Sequence, residues 1–267
     1  MSENLLGEFL RARRELVRPA EVGLPDGPRR RVPGLRREEV AMLAGVSAEY
    51  YVRLERGRDR HPSPPVLDAL ARVLGLDAES RDYLASLAGN ALPARGAGPE
   101  VCSPTIAAFV ERAPAPAFVL GRFTDVLAAN EAAHRLHGRM PGNVLRHLFL
   151  DPGSRALYPD WAELAAEAVG STRGAAVRYL DDPRLTRLVG ELSLKSAEFA
   201  RLWAQHGVRA KSAGTKRIAV PLADGGRETV TVGWEALEVA SSPGQVVVTY
   251  HAAGGSRAER VLAGLSR

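Results

Sequence analysis

The sequence predicts two domains of different class: an α-helical N-terminal domain, then an α+β domain built on an antiparallel sheet. Three observations carry this reading. At 267 residues the chain is longer than one domain needs and comfortable for two. Apolar residues before about Ala88 recur only at helical spacing, whereas three segments after Lys216 alternate at strand spacing. Between these regimes Asn90 to Pro99, NALPARGAGP, is rich in Ala, Gly and Pro and nearly free of apolar bulk, as an interdomain linker would be. The expected boundaries are residues 1–89, a linker over 90–100, and a second domain over 101–267.

The head opens with an amphipathic helix over Leu5 to Val17. Leu5, Leu6, Phe9, Leu10, Leu16 and Val17 share one face, and Arg11, Arg13, Arg14 and Arg18 dominate the other. Pro19 to Pro33 reads as a long loop, and its run Arg29-Arg30-Arg31 is placed to lie over a nucleic-acid backbone. A helix from about Arg36 to Ala44 carries Val40, Leu43 and Ala44 on one stripe. Gly45-Val46 turns the chain, Ser47 caps the next helix, and Gly57 stops it after Arg56. Ser63 opens a further helix with Pro64 and Pro65 in its first turn, where a missing N–H does no harm. Its stripe is Val66, Leu67, Leu70, Val73 and Leu74, and Gly75 ends it. Asp77 caps a last helix with Tyr83, Leu84 and Leu87 inward.

Two short helices joined by a tight glycine-containing turn form a helix-turn-helix, whose second helix enters the DNA major groove. Ala48, Glu49 and Arg53 share one face near the start of that helix. Glu49 can accept from a cytosine amino group, Arg53 can fork onto guanine O6 and N7, and Ala48 can pack on a thymine methyl. Tyr50 is placed to lie against sugar-phosphate or a methyl group. Tyr51 and Leu54 fall on the opposite face and are expected in the core. Arg37, Ser47 and Arg56 stand at helix ends, where they would contact phosphates; such contacts position a protein without reading sequence. A solvated arginine explains any one of these positions equally simply.

The second domain begins with a short helix around Ile106, Phe109 and Val110. Ala117 to Leu120 and Asp125 to Ala129 are strand-like across the loop Gly121 to Thr124. Asn130 caps a helix through Leu136, and Val144 to Phe149 form another, closed by Asp151-Pro152-Gly153. Longer helices follow over Asp160 to Tyr179, Pro183 to Leu194 and Ser196 to His206. Lys216 to Pro221, Glu228 to Trp234 and Gln245 to Tyr250 are alternating and β-branched, separated by turns at Asp224-Gly225-Gly226 and Ser242-Pro243-Gly244: an antiparallel meander. A helix over Ser256 to Leu265 closes the chain. Helices segregated from an antiparallel sheet define an α+β domain.

Composition narrows function by exclusion. Hydrophobic residues at 45% and charged residues at 25% are ordinary for a globular protein. The net charge of +5 is modest, and all but three of its 36 basic residues are arginine, a bias that a GC-rich coding sequence explains as readily as nucleic-acid binding. The single cysteine, Cys102, can form no internal disulfide and has no thiolate-favouring neighbours in sequence. The N-terminal stretch has acidic residues and no long apolar run, and nothing reaches the ~18 apolar residues of a membrane span. A cytoplasmic protein with no membrane partner is therefore expected. There is no P-loop, G-x-S-x-G, H-E-x-x-H or G-x-G-x-x-G string, so no enzyme is expected, no catalytic residue is assigned and no cofactor is assigned. His134, His137 and His147 could approach one another, but no carboxylate or thiol joins them, so no metal is assigned.

Glu39-Val40-Ala41, Leu43-Ala44-Gly45-Val46-Ser47, Tyr51, Leu54-Glu55 and Gly57 together resemble the Xre/Cro type of helix-turn-helix, in which the position of Glu55 is a structural acid. The resemblance extends further. Gly34 to Val40 with Tyr50-Tyr51, Leu148 to Pro152, Leu157 to Trp161, Leu188 to Ser193, and Phe199 to His206 with Val208-Arg209 are similar to the MmyB-like actinobacterial regulators over nearly the whole chain. That resemblance implies a PAS-like C-terminal domain and a fatty-acid-type effector. The chain differs from the pattern where Ala129 replaces a usual Trp, Val220 a His and Trp234 a Tyr, and where Leu222 to Gly226 is longer than a tight turn.

A sheet covered by helices can enclose an apolar cavity for one small molecule. The expected lining is Phe118, Leu120, Leu127, Leu136, Leu148, Phe149, Trp161, Leu192, Phe199, Trp203 and Tyr250, with Asn130 and Arg146 as candidates for a carboxylate headgroup. An ordinary packed core explains the same apolar residues. Three functions follow: a DNA-binding regulator, expected as a homodimer on double-stranded DNA, that senses a fatty acid or similar apolar ligand; the same regulator with a C-terminal domain that only dimerises or docks a protein; or an enzyme fused to a DNA-binding head, which no motif supports.

Overall fold

The computed structural model describes residues 4–25, 33–90, 100–140, 142–176, 179, 182–208, 212–222 and 225–266. The run Arg29-Arg30-Arg31 and the linker residues Ala91 to Pro99 lie outside them.

The head contains α1 (Leu5–Leu16), α2 (Arg37–Ala44), α3 (Ala48–Glu55), α4 (Pro64–Val73) and α5 (Ala78–Ala85). Its caps are those the residues dictate. Gly45 takes the left-handed conformation at φ 68°, which ends α2 without a Cβ clash. The Ser47 hydroxyl accepts from the Tyr50 amide at 3.1 Å, and Asp77 accepts from the Ser80 amide at 2.8 Å. The Ser63 hydroxyl makes no such bond, although α4 opens with Pro64 and Pro65 as expected. The expected irregular loop after α1 contains a 3-10 turn over Pro19–Val22, started by proline and closed by Glu21 accepting from the Arg18 amide. Phe9, Leu10, Leu35, Val40, Tyr51, Leu54, Leu70 and Leu84 form the head core.

The second region runs α6 (Pro104–Glu111), β1 (Ala117–Leu120), β2 (Val126–Ala129), α7 (Glu131–His137), α8 (Val144–Leu150), α9 (Ser154–Leu157), α10 (Trp161–Ala176), α11 (Pro183–Lys195), α12 (Ala197–Ala204), β3 (Ala213–Pro221), β4 (Arg227–Glu238), β5 (Val246–His251) and α13 (Arg257–Leu265). The strands make one antiparallel sheet in the order β2-β1-β5-β4-β3. Sequence spacing separates the β1–β2 hairpin from the later meander; pairing of Phe118 with Val248 across β1 and β5 unites them. The two faces of the sheet are unequal. One, carrying Phe118, Ile218, Val232, Val248 and Tyr250, is buried under the large helices. The other buries Val119 and Val247 with Val110 of α6. Period-two alternation explains this: successive residues point to opposite faces, so each central strand supplies both cores. Among the described residues no helix is long and apolar enough to cross a membrane.

Candidate functional site

The solvent face of α3 is built from its inward face. Tyr51 and Leu54 are fully buried, which fixes the helix rotation and leaves Ala48 and Glu49 exposed and Tyr50 and Arg53 partly exposed. Arg53 is the most constrained of these. Its Nε donates to Asp59 Oδ2 at 2.7 Å, its guanidinium lies 5.5 Å from the Tyr50 ring centroid, and its Nη1 stands 3.7 Å from Glu49. Hydrogen bonding to Asp59 holds the Arg53 pKa above its ordinary value, so the charge is permanent. With Nε engaged by Asp59, the terminal nitrogens remain as the fork that guanine O6 and N7 require.

The three expected phosphate contacts are placed unequally. Arg56 is exposed at the end of α3. The Ser47 oxygen accepts the capping bond, and its hydroxyl proton remains available. Arg37 is exposed at the start of α2 and tied to the head by one bond: its Nε donates to Glu55 Oε2 at 2.6 Å, which leaves its terminal nitrogens facing outward for a phosphate. Glu55 is itself buried and takes Arg14 Nε at 2.6 Å, while Arg14 Nη1 donates to the Leu35 carbonyl at 2.9 Å. This one carboxylate ties α1, α2 and α3 together, the structural role that the Xre/Cro resemblance implies for it.

In the C-terminal domain, ten of the expected lining residues meet in a single core: Phe118, Leu120, Leu136, Leu148, Phe149, Trp161, Leu192, Phe199, Trp203 and Tyr250. Their aromatic rings form a chain. Phe149 meets Trp161 at 5.6 Å and Phe199 at 5.2 Å between centroids, and Phe199 stacks on Trp203 at 5.7 Å. The indole of Trp161 donates to the Leu148 carbonyl at 2.9 Å. Ala129 and Trp234, two of the positions that differ from the MmyB-like pattern, pack against this core, and Val220 is buried in it.

Three expected residues stand elsewhere. Leu127 packs on the opposite sheet face, beneath α6, because the β1–β2 register shifts between Val119 and Leu120. Asn130 is a structural knot: Oδ1 accepts from the Ala117 and Ala133 amides, and Nδ2 donates to the Ala113 and Ala115 carbonyls. Its hydrogen-bonding capacity is used within the fold, leaving none for a headgroup. Arg146 is partly exposed and donates to Glu191 at 2.8 Å.

Polar groups not singled out as lining are instead inside the core. His137 Nδ1 shares a hydrogen bond with the Tyr158 hydroxyl at 3.1 Å, and its Nε2 has no hydrogen-bond partner among the described residues. Burial, with the nearby Lys216 charge, lowers its pKa to about 3. The Lys216 ammonium lies 5.1 Å from the Trp234 centroid and 4.9 Å from that of Tyr250, and 3.4 Å from the Tyr250 hydroxyl. Burial lowers its pKa to about 8. The only sequence signal for this cluster is a lysine on the inward-facing register of β3. His134 accepts from the Met140 amide and His147 pairs with Asp151, so the three histidines serve separate contacts. A separate surface groove of about 590 Å³ runs between α7, the end of β3 and α13, lined by Arg135, Pro221, Leu222, Arg257, Arg260 and Val261.

A helix-turn-helix head followed by an α+β domain with its own core defines a class: transcription regulators that couple a DNA-binding domain to a ligand-binding one. The family profile of the helix-turn-helix domain matches residues 5–84, and that of the MmyB-like transcription regulator ligand binding domain matches residues 102–265. The chain belongs to the MmyB-like family. Both matched domains are those of transcription regulation rather than of enzymes. No curated protein matches the chain.

Proposed function

We propose that this regulator binds operator DNA as a homodimer, reading bases with Arg53 and Glu49, helped by Ala48 and Tyr50, and setting register on phosphates through Arg37, Ser47 and Arg56. Residues 1–89 form its DNA-binding head and 101–267 its ligand and dimerisation domain, joined over 90–100. The observation that carries the base-reading assignment is the Arg53–Asp59 hydrogen bond at 2.7 Å, which orients a permanent cation on the exposed face of α3. A dimer follows from the small reading face, since two heads on a two-fold site add their contacts. Operators are first selected from random duplexes with the full chain. Arg53→Ala then loses about 1–3 kcal/mol of preference at one base pair while retaining salt-sensitive non-specific binding. Unchanged base preference overturns the assignment.

The ligand is a fatty acid or similar apolar molecule held by the core around Phe149, Phe199, Trp203 and Tyr250, with no other cofactor. This reading rests on the membership of the ligand-binding family and on ten expected residues converging on one core. Native mass spectrometry of purified protein and a fatty-acid panel test it: a co-purified lipid, or a fatty acid that raises the melting temperature, supports it. Absence of both, with operator affinity unmoved, leaves dimerisation or docking of a protein partner as the domain's role. That second reading has its own observation. Val101, Phe109 of α6 and Leu237, the cross-strand partner of Val247, are large apolar residues left exposed.

A further inference from the structure

The chain beyond α12 leaves its own domain and enters the head. Val208 is buried within the head core. Two residues earlier, His206 takes a left-handed φ of 51°, which aims its ring at Phe9 of α1, 6.5 Å away edge-on. The same corner holds Arg173 of α10, which is buried at 3% exposure. Its guanidinium lies 3.9 Å from the Trp203 ring centroid, donates to the Trp203 carbonyl, and points Nη1 at His206 Nδ1 across 3.4 Å. From the head side it meets the Tyr83 phenol of α5.

Buried arginines normally sit against carboxylates, as Arg14 does against Glu55. Arg173 is held by neutral groups: a carbonyl, an indole face, an imidazole and a phenol. Such a contact needs His206 neutral, with Nδ1 as acceptor. Burial, reinforced by Arg173 and by Arg13 of α1, keeps it so by lowering its pKa to about 4. Glu8 of α1 is the acidic group facing Tyr83 here. On its other side the joint continues into the ligand domain, because Trp203 stacks on Phe199 and Phe199 meets Phe149 edge to face. Every group of the chain Phe149–Phe199–Trp203–Arg173–Tyr83 touches the next, and the last belongs to the DNA-binding head.

We propose that Arg173, held by Trp203 and His206, is the positioning residue that fixes the DNA-binding head on the C-terminal domain, so that displacement of the α12 aromatic stack is carried into α1 and α5. This goes beyond ligand recognition: it assigns the residues that link the two domains, whatever molecule the core accepts. A head whose placement depends on one cation among neutral acceptors can be released by small changes at Trp203.

The test measures the distance between domains in the full chain. In a Cys102→Ser background, spin labels are placed at the exposed positions Arg72 of α4 and Glu163 of α10. The unmodified joint gives one narrow distance distribution. Arg173→Met and His206→Asn, the latter tolerant of the left-handed backbone, are expected to broaden it while helical content is retained. Trp203→Leu is the decisive variant, since its stacking partners Phe199 and Arg173 both lie in the C-terminal domain. It too is expected to broaden the distribution, and Tyr83→Phe to do so less. A distribution left narrow by both Arg173→Met and His206→Asn overturns the joint. One left narrow by Trp203→Leu alone overturns the transmission through the aromatic stack. If Arg173→Met does not fold, His206→Asn and Trp203→Phe decide the same two points.

Discussion

Glu55→Ala is expected to remove most of the head's stability while the C-terminal domain keeps its structure. Glu55 is buried and accepts from two arginines on two other helices, Arg14 and Arg37, each at 2.6 Å. Removing it leaves Arg14, itself buried, with a carbonyl of Leu35 and no carboxylate in contact apart from Glu15 at 3.6 Å, whose side chain is half exposed. An uncompensated buried charge of this kind costs about 3–5 kcal/mol. Whole domains are stable by only ~5–15 kcal/mol, so the change removes a large part of the head's stability. Calorimetry of the full chain should show an early transition for the head and loss of all DNA binding, specific and non-specific together. Arg53→Ala differs in kind, because it leaves the fold and removes only preference. A Glu55→Ala head as stable as the parent would show that Arg14 reaches water or another anion.

The head was readable because its determinants are local. Ser47, Gly45 and Asp77 act within four residues of themselves, so α2 and α3 begin and end, and α5 begins, within a residue of where caps and spacing put them; α5 itself stops at Ala85, and Leu87 lies in the kinked turn Ser86–Asn90 that follows. Tyr51 and Leu54 were assignable to the core because helical rotation alone sorts them from Ala48 and Glu49. The partner of Arg53 was not readable: Asp59 reaches it only through the turn after α3, whose geometry depends on Gly57 at φ 68°.

The C-terminal domain shows the same division more sharply. Strand spacing identified β3, β4 and β5, but the pairing that adds β1 and β2 joins segments over a hundred residues apart. The register shift at Leu120 moves Leu127 to the other face, and no periodicity announces it. Asn130 reads as a helix cap and a headgroup candidate; its three further bonds, from the Ala117 amide and to the carbonyls of Ala113 and Ala115, depend on tertiary placement of the segment leading into β1. Lys216 read as the polar start of a strand. Its confinement between Trp234 and Tyr250 arises from cross-strand placement: Trp234 faces Tyr250 directly, and Lys216 lies two residues from the partner of Trp234, Gly214. Tertiary placement, rather than composition, turns these side chains into a polar cluster inside an apolar core.

That cluster makes the C-terminal domain sensitive to acid. His137 is neutral in the fold, with its pKa lowered from the ordinary 6.5 to about 3 by burial and by the charge of Lys216. Above pH 6.5 the imidazole is neutral in both folded and unfolded chains, and the stability it permits is fully present. Below that pH the unfolded chain binds a proton that the folded chain refuses. Each further unit then costs about 1.4 kcal/mol from this residue alone, until the folded pKa near 3 is reached. His206 at the domain joint, lowered to about 4, adds to the same slope down to its own pKa. Urea titrations of the full chain at intervals from pH 7 to pH 4 therefore show falling stability with an uptake of about two protons on unfolding from these sites, beside that of the carboxylates. In His137→Gln, where an amide replaces the imidazole beside the Tyr158 hydroxyl, the uptake drops by one while the neutral-pH fold persists. An unchanged proton count in that variant would mean that His137 is already charged in the folded core, with an anion beside Nε2 to hold the charge.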